Sequence, residues 1–351
     1  MSFILGVKTS FPENHYTQNQ FYDFLSTIWP KHKNLVQKFH SNVQVVERAI
    51  CLPLQEIVKL NSFAERNKIW KEKALELSTQ SIEKILNEYH LKASDIDYLV
   101  TTSVTGFSIP SLDALLMNKM EFSSHCKRLP LFGFGCLGGV ASLNRASDYL
   151  KLNPTKLALV VAVELCSLTF QMQDQSLPNM VGTALFADGS AAVLMAGSEH
   201  PLSKEAKFEI LNYESFFYPN TQGTMGWNIV DTGFQLVLSG DVAELVEKEI
   251  SHNAKFLFEK NKIKQEDIQY VVSHPGGPKV LTALALALKL ADNDLKHSWD
   301  SLKEHGNMSS VSVLNVLEKN ITDCQGRSQE LGLMLAMGPA FNCEISLIKK
   351  I

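Results

Sequence analysis

Asp95-Ile96-Asp97-Tyr98-Leu99-Val100-Thr101 returns later in the chain as Asp267-Ile268-Gln269-Tyr270-Val271-Val272-Ser273. The match extends upstream without a gap: Ile85-Leu86-Asn87 to Leu91-Lys92 lies opposite Leu257-Phe258-Glu259 to Ile263-Lys264. Each copy reads as an amphipathic helix, a short polar turn and a buried strand. The turns Lys92-Ala93-Ser94-Asp95 and Lys264-Gln265-Glu266-Asp267 carry the polar residues expected between those elements. A shorter echo joins Phe3-Ile4-Leu5, leading to Ser10-Phe11-Pro12, with Glu209-Ile210-Leu211, leading to Ser215-Phe216. The plain alternative is chance similarity between helix–strand units. Taken as a duplication, the repeat predicts two similar α/β halves, each burying a mixed sheet between helices. The polar run Ser198-Glu199-His200-Pro201-Leu202-Ser203-Lys204-Glu205 is a sensible junction, giving halves of 1–204 and 205–351. Residues 15–75 read as an extra, mostly helical insertion in the first half.

The chain of 351 residues has room for two such halves. A formal charge of −4 gathers neither nucleic acid nor an anionic membrane, so an anionic ligand needs a local basic patch. Met1-Ser2-Phe3-Ile4-Leu5-Gly6-Val7-Lys8 lacks a basic leader and a cleavage pattern, and reads as a first strand. No apolar run approaches the ~18 residues of a membrane span. Leu157–Val163 stops at Glu164, and Leu281–Leu288 stops at Lys289. Six cysteines (Cys51, Cys126, Cys136, Cys166, Cys324, Cys343) show no framework spacing. There is no C-x-x-C and no histidine pair at metal-ligand spacing, so a reduced, cytoplasmic protein without a metal is expected.

The halves differ where chemistry would sit. In Leu131-Phe132-Gly133-Phe134-Gly135-Cys136-Leu137-Gly138-Gly139-Val140-Ala141, an apolar stretch ends in glycines, presents Cys136 and becomes a helix. A helix N-terminus favours thiolate over thiol, and a tight turn before a helix is one way to expose a nucleophile. The alternatives are a packed cysteine and a dinucleotide loop. The string Gly133-x-Gly135-x-x-Gly138 fits the latter, but a cysteine inside the loop is unexpected. In the second half the repeated strand runs into Ser273-His274-Pro275-Gly276-Gly277-Pro278, which puts His274 at a strand's C-terminal end. His305-Gly306-Asn307-Met308-Ser309-Ser310 precedes a further helix, where Asn307 is either a cap or a functional amide. One Cys, one His and one Asn at element termini make an acyl-transfer set. The thiolate is the nucleophile, the imidazole pairs with it and moves protons, and the amide N–H holds an oxyanion or enolate.

These strings resemble the type III polyketide synthases, the chalcone synthase-like branch of the thiolase superfamily. The resemblance runs through Gly135-Cys136 with Gly138-Gly139, Glu164-Leu165-Cys166-Ser167-Leu168-Thr169-Phe170 and Ala184-Leu185-Phe186-Ala187-Asp188-Gly189. It continues through His274-Pro275-Gly276-Gly277-Pro278 and Gly306-Asn307-Met308-Ser309-Ser310. It implies a five-layer αβαβα thiolase fold of two duplicated halves, a homodimer, and catalysis by Cys136, His274 and Asn307. It also implies a gatekeeper phenylalanine at Phe186, and a cavity lined by Thr102, Cys166, Thr169, Leu236 and Ser309. Lys38, with Lys31 and Lys33 nearby, matches a basic residue that contacts CoA phosphates. Phe107 matches a residue sent across the dimer to the partner's cavity. Acyl-CoA and malonyl-CoA are the implied substrates, with no separate cofactor.

Two positions depart from the plant pattern. Leu236 stands where a second gatekeeper phenylalanine is expected, and Ala340 in Met337-Gly338-Pro339-Ala340-Phe341 replaces a glycine. Both bear on cavity shape. The string Glu164–Thr169 and Met225-Gly226-Trp227-Asn228 look like bacterial members that make alkylpyrones or alkylresorcinols from fatty acyl starters. The competing readings are a one-round ketoacyl synthase III-like enzyme, a catalytically idle acyl-CoA-binding protein, and a cysteine hydrolase.

Overall fold

The computed structural model describes residues 1–291, 293–323 and 329–351; Cys324 lies outside the described residues. The first part of the chain supplies strands β1 (Ser2–Ser10), β2 (Asn14–Thr17), β3 (Glu47–Ile50), β4 (Tyr98–Ser103), β5 (Lys127–Phe132), β6 (Leu157–Leu165) and β7 (Asp188–Gly197). Its helices are α1 (Gln18–Ile28), α2 (Lys33–Asn42), α3 (Leu54–Ile57), α4 (Phe63–Glu88), α5 (Leu112–Lys119), α6 (Gly138–Leu152) and α7 (Leu177–Leu185). The second part supplies β8 (Phe208–Phe217), β9 (Met225–Val230), β10 (Gly233–Leu238), β11 (Ile268–Ser273), β12 (Leu331–Gly338) and β13 (Asn342–Lys350). Its helices are α8 (Val242–Asn261), α9 (Pro278–Ala287), α10 (Lys296–His305) and α11 (Ser310–Asp323).

The duplication expected from the sequence is visible in the strand order. The first half runs β1-β7-β6-β4-β5 and the second runs β8-β13-β12-β11. In both, a parallel pair (β4 with β6, β11 with β12) is followed by two antiparallel pairings that end on the half's own first strand. The first strands β1 and β8 meet at Phe3–Glu209 and Ile4–Phe208, so the halves share one nine-stranded sheet. The repeated turn is copied in its hydrogen bonds. Lys92 N–H donates to Asp95 Oδ2 at 2.8 Å, and Lys264 N–H donates to Asp267 Oδ2 at 2.8 Å.

Alternation along the buried strands generates the layers. In β6, Leu157, Leu159, Val161 and Val163 pack outward against α4, while Ala158, Val160 and Ala162 face α6 and α11. In β12, Leu333, Leu335 and Met337 pack outward with α8 and α9, and Met334 and Ala336 face the same two central helices. Outer helices, one half of the sheet, central helices, the other half of the sheet and outer helices follow in turn: the expected five-layer α/β architecture. Residues 14–57 add the β2–β3 hairpin with α1 and α2. The end expected for this insertion, residue 75, falls inside α4, which runs unbroken from Phe63 to Glu88.

Candidate active site

Cys136 sits in a 3-10 turn, Gly135–Leu137, that leads directly into α6. Gly135 has φ +54, and a Cβ there would stand 2.5 Å from Pro339 Cδ, so the turn tolerates no side chain. At Gly139 a Cβ would lie 2.4 Å from the Ser310 carbonyl oxygen, so α6 and the start of α11 are in backbone contact. The glycines therefore bring two helix starts together, which sets aside the phosphate-cradle alternative. No side chain caps α6 and no acidic residue occupies its first turn, which leaves its positive end uncompensated beside Cys136. Among the described cysteines Cys136 alone is only partly buried; Cys51, Cys126, Cys166 and Cys343 are buried.

His274 extends the β11–β12 ladder by one bond, donating its N–H to the Leu335 carbonyl at 3.0 Å. The chain then turns at once, with Gly276 N–H on the His274 carbonyl at 3.0 Å. The imidazole is buried, and Nδ1 has no hydrogen-bond partner among the described residues. Asn307 pairs with Phe186 as an isolated parallel bridge. Its N–H donates to the Leu185 carbonyl at 2.9 Å, and its carbonyl accepts from Ala187 N–H at 2.9 Å. Its Oδ1 accepts from Ser309 N–H at 2.8 Å, and its Nδ2 reaches the Gly276 carbonyl at 3.4 Å. The amide thus closes a turn just ahead of α11 without capping the helix itself, and that bond fixes Nδ2 as the donor facing the His274 turn. Ser309 is held at φ +49, and its hydroxyl lies close enough to Cys136 to favour the thiolate. Ser309, Asn307, Gly276 and His274 are linked by hydrogen bonds within the second half, and the Gly139–Ser310 contact sets the Cys136 turn beside them.

Burial pushes the Cys136 thiol up to about 12, helped by the Glu164 carboxylate and opposed by the Ser309 hydrogen bond. Burial alone draws the His274 imidazole down to about 3. The thiolate expected from the helix start is thus opposed by loss of water.

Phe186 ends α7 with its ring 6.2 Å from that of Trp227. Leu236 stands opposite Trp227 in the β9–β10 hairpin and packs with Phe186, Cys166 and Phe170. Thr169 hydrogen-bonds the Cys166 carbonyl at 2.7 Å, and both lie in the Cys166–Thr169 turn after β6. Thr102 is buried, with Oγ1 2.6 Å from where a Cβ on Gly138 would be, so it packs directly under the start of α6. These residues are brought together around Cys136 and Asn307. Lys38 is not: it lies exposed on α2, as do Lys33 at the start of that helix and Lys31 in the turn before it. Phe107 is surface-exposed, with its ring 5.8 Å from Phe132. Ala340 has φ +54, the conformation a glycine would adopt without strain.

Sequence reasoning used Glu164 only as the end of an apolar run and the first residue of a family string, and gave it no site role. It is fully buried and accepts from Ser310 Oγ at 2.6 Å, Thr105 Oγ1 at 2.9 Å, Val104 N–H at 3.0 Å and Ser103 Oγ at 3.3 Å. Burial lifts its carboxyl to about 7 against those four donors. A lone acid closing a buried strand was the available signal. Among the described residues no cluster of His, Cys, Asp and Glu is arranged to hold a metal, and no helix is long and apolar enough to cross a membrane.

A two-half α/β fold whose central helices begin beside Cys136 and just after Asn307, with the His274 turn bonded to the Asn307 amide, has the thiolase architecture. The comparisons refine this. The N-terminal domain of chalcone and stilbene synthases matches residues 2–199, and their C-terminal domain matches residues 209–351. The chain is 36% identical to 1,3,6,8-tetrahydroxynaphthalene synthase of Streptomyces peucetius subsp. caesius, over 99% of this chain and 92% of that one. It is 31% identical to phloroglucinol synthase of Pseudomonas fluorescens, over 99% of each. The crystal structure of the Streptomyces coelicolor tetrahydroxynaphthalene synthase, a bacterial type III polyketide synthase, superposes with TM-score 0.93 at 27% identity, covering 99% of each chain. The chain belongs to the chalcone and stilbene synthase family and is a type III polyketide synthase, an acyltransferase by class.

Proposed function

We propose that the enzyme loads an acyl group from a CoA thioester onto Cys136 and extends it by repeated decarboxylative condensation with malonyl-CoA. The observation that carries this reading is the backbone contact between the start of α6, beside Cys136, and the start of α11, behind Asn307 and Ser309, with Phe186 and the His274 turn both bonded to Asn307. The Cys136 thiolate attacks the starter's carbonyl carbon, and the bond to CoA sulfur breaks. CoA leaves as a thiol with the proton carried by His274. Malonyl-CoA then loses CO2, and the electron pair of the broken C–C bond passes to the thioester oxygen as an enolate. His274 and Asn307 Nδ2 are the donors for that oxygen. The apolar Phe186 ring beside the carboxylate favours its conversion to neutral CO2. The enolate carbon attacks the Cys136 thioester and expels the thiolate, leaving a chain two carbons longer on CoA. Return of that chain to Cys136 permits another round, and the finished chain cyclises.

Mass spectrometry of products from a panel of acyl-CoA starters with malonyl-CoA tests this. Cyclised products several units longer than the starter, absent with Cys136→Ala, are expected. Single-round products formed only from a malonyl-carrier protein would support the ketoacyl synthase III-like reading. Free acid released without malonyl-CoA consumption would mark a hydrolase. Acyl attachment surviving Cys136→Ala would sink the mechanism.

For the product we keep alkylpyrones or alkylresorcinols from fatty acyl starters, supported by the Glu164–Thr169 and Met225–Asn228 strings. Similarity to tetrahydroxynaphthalene and phloroglucinol synthases supports a second reading, a polyhydroxylated aromatic ring. The same starter panel separates them. Lys38, Lys31 and Lys33 are proposed to meet the CoA phosphates. A homodimer is proposed through Phe107, Ile109 and Phe132, which leave an apolar patch of 39%, 95% and 52% exposure beside the edge strand β5. The free thiols of the described cysteines fit a cytoplasmic location.

A further inference from the structure

The carbonyl oxygens at the end of α7 are claimed by two side chains from the segment containing α1 and β3. Arg48, fully buried on β3, donates from Nη1 to the Thr183 carbonyl at 2.9 Å and to the Phe186 carbonyl at 3.0 Å. Its Nη2 binds Gln18 Oε1. Gln18 Nε2 in turn donates to the Ala184 carbonyl at 3.0 Å and the His40 carbonyl at 3.3 Å. The guanidinium lies over the Phe21 ring, 4.0 Å from its centroid. On the other side of the same stretch, Asn307 takes the Leu185 carbonyl and the Ala187 N–H. The Phe186 peptide is therefore gripped between Arg48 and Asn307.

Burying a guanidinium without a direct ion pair is costly. Here the negative end of α7 and the nearby Asp188 carboxylate oppose that cost. Asp188 does not bind Arg48 directly. Its oxygens accept from Cys51 N–H at 2.8 Å, Ser167 N–H at 2.8 Å and Ser167 Oγ at 2.6 Å. Packing alone would be served by an apolar side chain of similar size. The planar fork is instead spent on directed bonds to the few residues that end in Phe186.

We propose that Arg48, oriented by Gln18, is a positioning residue that sets the Phe186 ring against Asn307 and so tunes malonyl-CoA decarboxylation without touching substrate. This rests on Phe186 acting at the decarboxylation site.

The test is a double-mutant cycle on the full-length enzyme with two readouts: CO2 release from malonyl-CoA, and acylation of Cys136 by an acyl-CoA starter. Arg48→Met keeps length and apolar bulk and removes the donors. Expected is a fall in decarboxylation kcat of about 10-fold to 100-fold, as for a displaced positioning group. Acylation should change by less than about two-fold, and a Phe186→Ala background should abolish the Arg48 effect on decarboxylation. An equal Arg48→Met effect in both backgrounds overturns the proposal, as does parallel loss of both readouts. Unchanged decarboxylation in Phe186→Ala alone instead removes the role of Phe186 itself, and is read from that arm only. If Arg48→Met does not fold, Gln18→Met takes its place. A smaller loss with the same dependence on Phe186 is expected, and no loss overturns the proposal.

Discussion

Strands β4 and β11 hold the same place in their halves, and each pairs in parallel with the strand that follows it in the duplication. Their ends differ. β4 closes on Thr101-Thr102-Ser103 and serves as the floor under α6, whereas β11 closes on Ser273 and delivers His274. The central helices differ in the same way. The approach to α6 carries Cys136, and the approach to α11 carries Asn307 and Ser309. A duplicated scaffold thus places two helix starts face to face, and each copy keeps part of the chemistry. In the proposed mechanism the nucleophile belongs to one copy, and the proton carrier and enolate donor belong to the other.

The largest expected effect separates the two contributions. Cys136→Ala should abolish acyl transfer, on the order of 10⁴-fold or more, while decarboxylation of malonyl-CoA persists. His274→Gln and Asn307→Ala should each cut decarboxylation by roughly 10²–10³, with Cys136 still open to alkylation. Assaying the two half-reactions separately checks this, and equal loss of both in every variant would break the division of labour between halves.

A second prediction attacks the contact that joins the halves. Gly139→Val places a branched side chain where Ser310 O, Val313 and Leu314 already stand within about the van der Waals limit. Overpacking of this kind costs about 1–3 kcal/mol, and separation of the helix starts should lower condensation further than stability. Thermal melting beside product yield measures both.

Acid should act on the second half through His274. Its pKa falls from 6.5 to about 3 on folding, so the unfolded chain binds a proton more readily than the native protein. That contribution to stability is fully present above pH 6.5 and is lost as pH falls from 6.5 toward 3. His274→Gln should therefore show a shallower loss of Tm across that window than the parent. His40 and His305, drawn down to about 3 and about 4 by burial, leave a residual acid response in both proteins.

The smallest expected effect concerns Ala340. A non-glycine residue in the left-handed region carries a penalty of roughly 1–2 kcal/mol, so Ala340→Gly should raise stability by about 1 kcal/mol. Its neighbour Pro339 lies against Gly135 beside the Cys136 turn. A change in product distribution, read by mass spectrometry, would show that the loop also shapes the cavity.

The halves, the buried strands and the three element termini bearing Cys136, His274 and Asn307 were legible in the sequence. Hydrophobic period, turn residues and glycine strings are local signals, and a duplication repeats them at a readable distance. Other features depended on contacts between residues far apart in the chain. Glu164 looks like the end of an apolar run until Ser103, Thr105 and Ser310 are seen to converge on it. Arg48 drew no reading from the sequence; burial and the acceptors at the end of α7 give it a role only in the folded chain. The ionisation of Cys136 could not be read from its helix start either. The sequence shows the helix that favours a thiolate, but the water excluded around Cys136 is a property of the packed interior, and it acts in the opposite direction.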